Sequence, residues 1–224
     1  MRTVALTKES TKDILENLLK RSPNNYGKFE SAVDEILHKV KTEGDSALFA
    51  YTKEFDKTEI TADTIKVTEE EIKEAYEAVD PALIDVIRKA LVNIRSYHEK
   101  QRQNSWFTSE TNGTMLGQKV TALERVGVYV PGGKAVYPSS VLMNIVPAKV
   151  AGVDQIVMTT PPGKNGKVNP STLVAAKEAG ADEIYKVGGA QAIGALAYGT
   201  ESIPKVDKIV GPGNIFVALA KKAV

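Results

Sequence analysis

Apolar residues in the first hundred positions recur every three or four, the spacing of one helix face. Ser10 can cap a first helix carrying Ile14, Leu15, Leu18 and Leu19. From Lys28 to Glu43 the residues Phe29, Val33, Ile36, Leu37 and Val40 share a face; Gly44 ends this helix and Asp45 caps the next. Thr68-Glu-Glu-Glu71 has the form of a capping box. Asp80-Pro81 sets proline at the first helical position, where its missing N–H costs nothing. The helix that follows bears the stripe Leu83, Ile87, Leu91 and Ile94.

The pattern changes at Trp106. Residues Phe107 to Val120 read as a hairpin, with Asn112-Gly113 expected as a type I′ turn. Beyond it, strand and helix patterns alternate, and a repeat marks the strand starts. Ala151-Gly-Val-Asp-Gln-Ile156 recurs as Ala179-Gly-Ala-Asp-Glu-Ile184, and Val206-Asp-Lys-Ile209 echoes its second half. Each apolar run ends in a turn of small residues: Val130-Pro-Gly-Gly133, Thr160-Pro-Pro-Gly163, Val187-Gly-Gly189 and Val210-Gly-Pro-Gly213. Such alternation predicts βαβ units and a parallel sheet, with strands near Arg125–Val130, Gln155–Thr160, Glu183–Val187 and Lys208–Val210. Ser139 or Ser140 can cap the helix between the first two strands, and Pro147 is expected to kink or shorten it. Later helices are expected over Asn169–Ala179, Gly189–Tyr198 and Asn214–Val224.

The expected fold is therefore α/β: a parallel-sheet, incomplete Rossmann-like domain over residues 124–224, preceded by a mostly helical region and a β-hairpin segment over residues 1–123. The last helical pattern has no terminator, and the N-terminal apolar faces need a partner layer that one hairpin and one long helix would not complete. Both features point to a fragment, expected to associate into dimers or aggregates through uncovered apolar stripes.

Composition narrows the function classes. The chain has 224 residues, 42% of them hydrophobic, and 29 basic against 28 acidic residues, so no basic surface argues for nucleic acid. No apolar run reaches the length of a membrane span and no signal peptide is visible, which together suggest a cytoplasmic protein. With no cysteine, disulfides, thiolate catalysis and Cys-ligated zinc are excluded within the chain. The two histidines, His38 and His98, fall in charged helical segments far from the turns, where exposed positions are expected. They offer neither a zinc-ligand spacing nor a Ser-His-Asp constellation.

The small-residue turns resemble phosphate or nucleotide cradles without matching a standard fingerprint. Gly211-Pro-Gly213-Asn-Ile-Phe216 lacks the third glycine of G-x-G-x-x-G. Gly127 and Gly132 have P-loop spacing, but Gly133 stands where lysine is required. A single turn of this kind is a tight βα connection; four on one sheet edge favour a ligand site. Gln191 and Asn214 each lie just past such a turn, where a side-chain amide can bond a ligand beside free helix N–H groups. Taken by itself, Asn214 is favoured as a plain helix cap. Tyr129 closes its strand beside Pro131-Gly-Gly133 and can face a base or ribose, or simply sit at the rim with its hydroxyl in water.

Glu124-Arg-Val-Gly-Val-Tyr-Val-Pro-Gly-Gly133, Lys186-Val-Gly-Gly-Ala-Gln-Ala-Ile193, Tyr198-Gly-Thr-Glu-Ser202, Pro204-Lys-Val-Asp-Lys-Ile209 and Gly211-Pro-Gly-Asn214 together resemble the histidinol dehydrogenase family, from about Trp106 to the last residue. The resemblance implies a zinc- and NAD-dependent homodimer of histidine biosynthesis that oxidises L-histidinol to L-histidine through the aldehyde. By matching positions it places Tyr129, Gln191 and Asn214 against NAD. It implies a full chain roughly twice this length, whose zinc ligands and catalytic Glu-His pair lie beyond the position of Val224. No catalytic or metal-binding residue is therefore carried over, and the isolated chain is expected to be inactive and to bind no zinc. In the resembled family the N-terminal region is half of another α/β domain, completed by later chain. Two other readings remain. One is an aldehyde dehydrogenase-like enzyme, which would need a cysteine nucleophile. The other is a non-catalytic nucleotide-binding module acting with a partner chain.

Overall fold

The computed structural model describes residues 5, 7–12, 14, 26–132 and 136–224. Residues 8–12 and 14 are helical. Thr7 holds the cap there: its hydroxyl accepts from Ser10 N at 3.1 Å, and Ser10 Oγ accepts from Thr7 N at 2.8 Å. Ser10 is thus the third helical residue and not the cap, because a reciprocal pair satisfies two free donors where one hydroxyl satisfies one. Leu15, Leu18 and Leu19 of the expected first helix lie outside the described residues.

The N-terminal helices are α1 (Gly27–Glu43), α2 (Asp45–Asp56), α3 (Ala62–Ile65), α4 (Glu69–Ala78) and α5 (Pro81–Glu99). The Thr68 capping box is present, with Glu71 N on Thr68 Oγ1 at 3.2 Å and Thr68 N on Glu71 Oε2 at 3.0 Å. Asp80 caps α5 through Ala82 N at 2.9 Å, with Pro81 at the first position. Gly44 ends α1, but it also occupies the cap of α2. Asp45 is the first residue of α2 and its N–H goes to the Glu201 carboxylate at 2.8 Å. The Asp45 carboxylate in turn accepts from Ser202 N and Ser202 Oγ. A glycine at the cap offers no side chain, so the cap comes from 156 residues away.

A two-stranded hairpin follows, β1 (Trp106–Ser109) antiparallel to β2 (Met115–Gln118), exposed along both strands. Its turn is not type I′. Lys57 is the one non-glycine with positive φ among the described residues, so Asn112 does not take the left-handed conformation that type requires. Gly113 N bonds Glu110 O at 3.0 Å, Glu110 N bonds Thr114 O at 2.8 Å, and Gly113 alone is left-handed. This is the three-residue loop with a glycine bulge.

The remaining chain alternates β3 (Arg125–Tyr129), α6 (Pro138–Val150), β4 (Gln155–Thr160), α7 (Pro170–Ala179), β5 (Glu183–Lys186), α8 (Gly189–Tyr198), β6 (Lys208–Val210) and α9 (Ile215–Ala223). All four strands are parallel, in the order β5-β4-β3-β6, and their carboxyl ends share one edge as expected. The repeat has a structural reason in two of its three copies: Asp182 and Asp207 hold the start of the neighbouring strand. Asp182 Oδ2 accepts from Ile156 N at 2.7 Å, and Asp207 Oδ2 accepts from Arg125 N at 2.9 Å. Helix α6 begins at Pro138 with Tyr137 at its cap, not at Ser139 or Ser140, and it runs through Pro147 to Val150. Val141, Leu142, Ile145 and Val146 are buried on it, and that packing holds the helix across a break in its ladder.

Alternation along the strands gives the sheet two apolar faces, as both faces of a parallel sheet require. Val126, Val128, Ile156, Met158 and Ile184 enter one core with residues of α4, α5, α6 and α7. Tyr129, Val157, Tyr185 and Val187 enter the other with residues of α1, α2 and α8, together with Val217, Leu219 and Ala220 of α9. The N-terminal helices therefore cover both faces, while Leu83 of the α5 stripe stays exposed and Leu91 and Ile94 are half-buried. Val33, Ile36, Val40 and Ile87 are buried, while Phe29, half-exposed, stands edge-on to Phe216 at 5.4 Å.

Candidate dinucleotide edge

The strand order sets the place of a site. From β3 the chain moves outward to β4 and β5, then returns past β3 to β6. Loops leaving β3 and β6 therefore diverge, and in open parallel sheets ligands bind in the crevice at that reversal. The turns after the strands are packed tightly there. A Cβ on Gly132 would stand 2.6 Å from Pro161 Cγ, and one on Gly188 would stand 2.5 Å from Pro161 Cβ. Small residues let the turns after β3, β4 and β5 approach one another.

Tyr129 ends β3 and is buried, so its hydroxyl is not at a wet rim. It accepts from Gly189 N at 3.2 Å, tying β3 to the first turn of α8. Burial is the main cause that raises its pKa; the Gly189 amide opposes this and the charge of Asp56 adds to it. Gly189 is left-handed, and a Cβ there would come within 2.5 Å of Gln191 Oε1.

Gln191, the third residue of α8, is 1% exposed. Both its amide oxygen and its amide nitrogen are buried without a hydrogen-bond partner among the described residues. Thr159 Oγ1, on the strand position paired with Tyr129, is in the same condition. Buried polar atoms are nearly always satisfied, so unpaired ones beside a glycine turn point to a missing partner. Asn214 differs. It is exposed and caps α9, its Oδ1 accepting from Val217 N at 3.1 Å. Gly211, left-handed, closes β6 against Tyr129, and Lys221 Nζ donates to Gly211 O at 2.6 Å. The edge thus brings Tyr129 and Gln191 to one place through Gly189, with Asn214 at the helix start across the β3–β6 gap. Gly133 lies outside the described residues.

The sequence reading missed two residues here. Thr159 is a strand threonine like any other until its neighbours are known. Asp56 ends α2, with Oδ2 buried and unpartnered among the described residues, and burial pushes its carboxyl up to about 6. Its one visible signal was an acid at a helix C-terminus, the end that disfavours negative charge. No group of three or more His, Cys, Asp or Glu side chains that could hold a metal occurs among the described residues. His38 is exposed, whereas His98 is half-buried, its Nδ1 2.7 Å from Gln101 Oε1. A concavity of about 400 Å³ along α5, lined by Arg88, Leu91, Arg95 and Glu178, lies on other elements. Its Arg88 is already paired with Glu178 at 2.8 Å.

This edge is that of an α/β protein with a Rossmann-like parallel sheet. Comparison with known proteins gives the family. The sequence model described as histidinol dehydrogenase matches residues 19–224, and the chain belongs to that family. It is 62% identical over 192 residues to the histidinol dehydrogenase of Bacillus subtilis (strain 168), covering 86% of this chain and 44% of that one. It is 55% identical over 218 residues to that of Methanocaldococcus jannaschii, covering 97% and 50%. The crystal structure of histidinol dehydrogenase from Elizabethkingia anophelis superposes with a TM-score of 0.83 at 40% identity, over 90% of this chain and 46% of that chain. The chain spans about half the length of the curated relatives it matches. Among the described residues, no helix is long and apolar enough to cross a membrane.

Proposed function

We propose that this chain is the NAD-side half of a histidinol dehydrogenase, an enzyme that oxidises L-histidinol to L-histidine. Residues 124–224 carry the Gly-rich edge, and helices α1, α2, α4 and α5 of the N-terminal region pack on the sheet. The observation that carries this reading is Gln191, a buried amide with neither atom paired, in the first turn of α8. Its nitrogen and oxygen fit a ligand that offers both an acceptor and a donor, as a nucleotide does. Tyr129 orients the Gly189 turn and keeps its hydroxyl proton free for a ligand oxygen. Asn214 fixes the start of α9, whose free N–H groups suit a phosphate. NAD, when bound, supplies a hydride acceptor. The residues here bind and orient it.

The zinc ligands and the acid–base pair that the family resemblance implies have no positions in this chain. The chain alone therefore turns over no histidinol, and homodimer formation and cytoplasmic location belong to the whole enzyme. Isothermal titration with NAD tests the reading. Wild-type chain binds NAD, and Gln191→Ala and Asn214→Ala each lose roughly 0.5–1.5 kcal/mol, about 2- to 13-fold. Wild-type affinity in both variants, with folding intact, would leave Asn214 a helix cap only and Gln191 without a part in binding. Turnover of histidinol by the purified chain would reveal a catalytic site elsewhere in it.

A further inference from the structure

We propose that Asp56 is the carboxylate that receives the ribose hydroxyls of the bound dinucleotide, and so the residue that selects NAD over its 2′-phosphorylated form. This rests on the NAD reading above. Dinucleotide-binding sheets place such an acid at the end of the strand next to the first one. Here that strand is β4, and from Gln155 to Asn169 the chain contains no Asp or Glu. The strand ends in Thr159-Thr160-Pro161-Pro162 instead. The acid has to come from another element.

The N-terminal region brings one. Helix α2 packs on α8, the helix that begins at the Gly189 turn. It ends at Asp56, and Lys57 then takes the left-handed conformation with φ 58°. The next residue, Thr58, is buried, its Oγ1 3.5 Å from where a Cβ on Gly166 would stand. Gly166 belongs to the loop that leaves β4, so the Asp56–Thr58 segment meets the loop that follows the carboxyl end of that strand. The charge of Asp56 is also among the causes that raise the pKa of Tyr129, at the end of β3. The end of α2 is therefore held between α8 and the loop that follows β4, a loop that carries no carboxylate of its own.

Stability does not account for this placement. Asp56 Oδ2 is buried with no partner among the described residues, at a helix end that disfavours negative charge. Lys53, one turn earlier on the same helix, is bound to Glu59 at 2.6 Å. An unpaired buried acceptor is what two vicinal hydroxyls, each a donor, would satisfy. A 2′-phosphate would instead set a second anion against a desolvated carboxylate, which rejects it.

Isothermal titration of the 224-residue chain with NAD, NADP and 2′-deoxy-NAD decides the matter. Wild type is expected to bind NAD at least about tenfold more tightly than either of the other two, since a hydrogen bond to a charged group carries that much. Asp56→Asn is expected to weaken NAD by about tenfold or more and to bring the three ligands within about threefold of one another. A wild-type NAD/NADP ratio in D56N, with NAD still bound, overturns the role of Asp56 and leaves the NAD reading standing. The 2′-deoxy ligand tests the same contact with no substitution: equal binding of NAD and 2′-deoxy-NAD to wild type also overturns it. A wild-type chain that binds none of the three removes the NAD reading, and this inference with it.

Discussion

Gly211 lies against the backbone carbonyl of Tyr129, with φ 115° and no room for a side-chain carbon. This contact closes the ends of β3 and β6 on each other at the reversal of the sheet. Gly211→Ala meets two separate costs, a backbone conformation that L residues rarely adopt and an overlap with a fixed carbonyl. Each is on the order of 1–3 kcal/mol. The variant is expected to lose several kcal/mol in urea denaturation, and to lose NAD binding even where it remains folded. A melting curve like that of wild type would mean that the turn after β6 can shift away at little cost.

The Glu201 cap on α2 makes a sharper test of long-range capping. Glu201→Ala leaves Asp45 N without its acceptor and is expected to cost about 0.5–2 kcal/mol, the usual range for a lost cap. Gly44→Ala should cost more, because Gly44 is left-handed and a Cβ there would collide with the same carboxylate. In the double variant the collision is relieved, so the two losses should sum to more than the measured total. Strict additivity would show that Glu201 does not sit over Gly44 in solution.

Lys186 ends β5 with its ammonium bound to both Glu71 oxygens, at 2.8 and 3.0 Å, and both side chains are largely buried. Removing one partner strands the other. Lys186→Met is expected to destabilise by about 3–5 kcal/mol, and also to disturb the capping box that Glu71 completes. Adding Glu71→Gln should restore part of the loss, since a neutral amide still accepts from Thr68 N. A double variant as unstable as the two single losses combined would place the cost in packing and not in charge.

What the sequence disclosed follows the range of each interaction. Strand positions, the Thr68 box and the Asp80-Pro81 start depend on residues a few places apart, and they stand where the pattern put them. The turn at Asn112-Gly113 was misread because one glycine serves either turn type, and the flanking Glu110–Thr114 bond decides between them. That α6 continues past Pro147 to Val150 was not legible, because local propensity carries no knowledge of its buried face. At the candidate edge, Tyr129 and Gln191 were visible beside their glycines. Asp56 was not, because the loop that its helix end meets, through Thr58 and Gly166, lies more than a hundred residues along the chain.

The same residue gives a prediction about pH. Burial raises the Asp56 carboxyl from its ordinary value of 3.8 to about 6. Between those values the folded chain holds a proton that the unfolded chain has released, so stability falls as pH rises through that window. The penalty is absent below about pH 4 and complete above about pH 6; at 1.36 kcal/mol per unit it is at most about 3 kcal/mol, and solvent screening at this partly exposed side chain lowers it. Asp56→Asn keeps the shape and carries no charge, so it should escape the penalty. In urea denaturation without ligand, D56N and wild type should match near pH 4, and D56N should be the more stable at pH 7.5. Saturating NAD should shrink that gap at pH 7.5, because wild type gains the bond that the amide lacks. Equal stability of the two proteins at both pH values would show that the carboxyl titrates as it does in water, with its oxygens open to solvent.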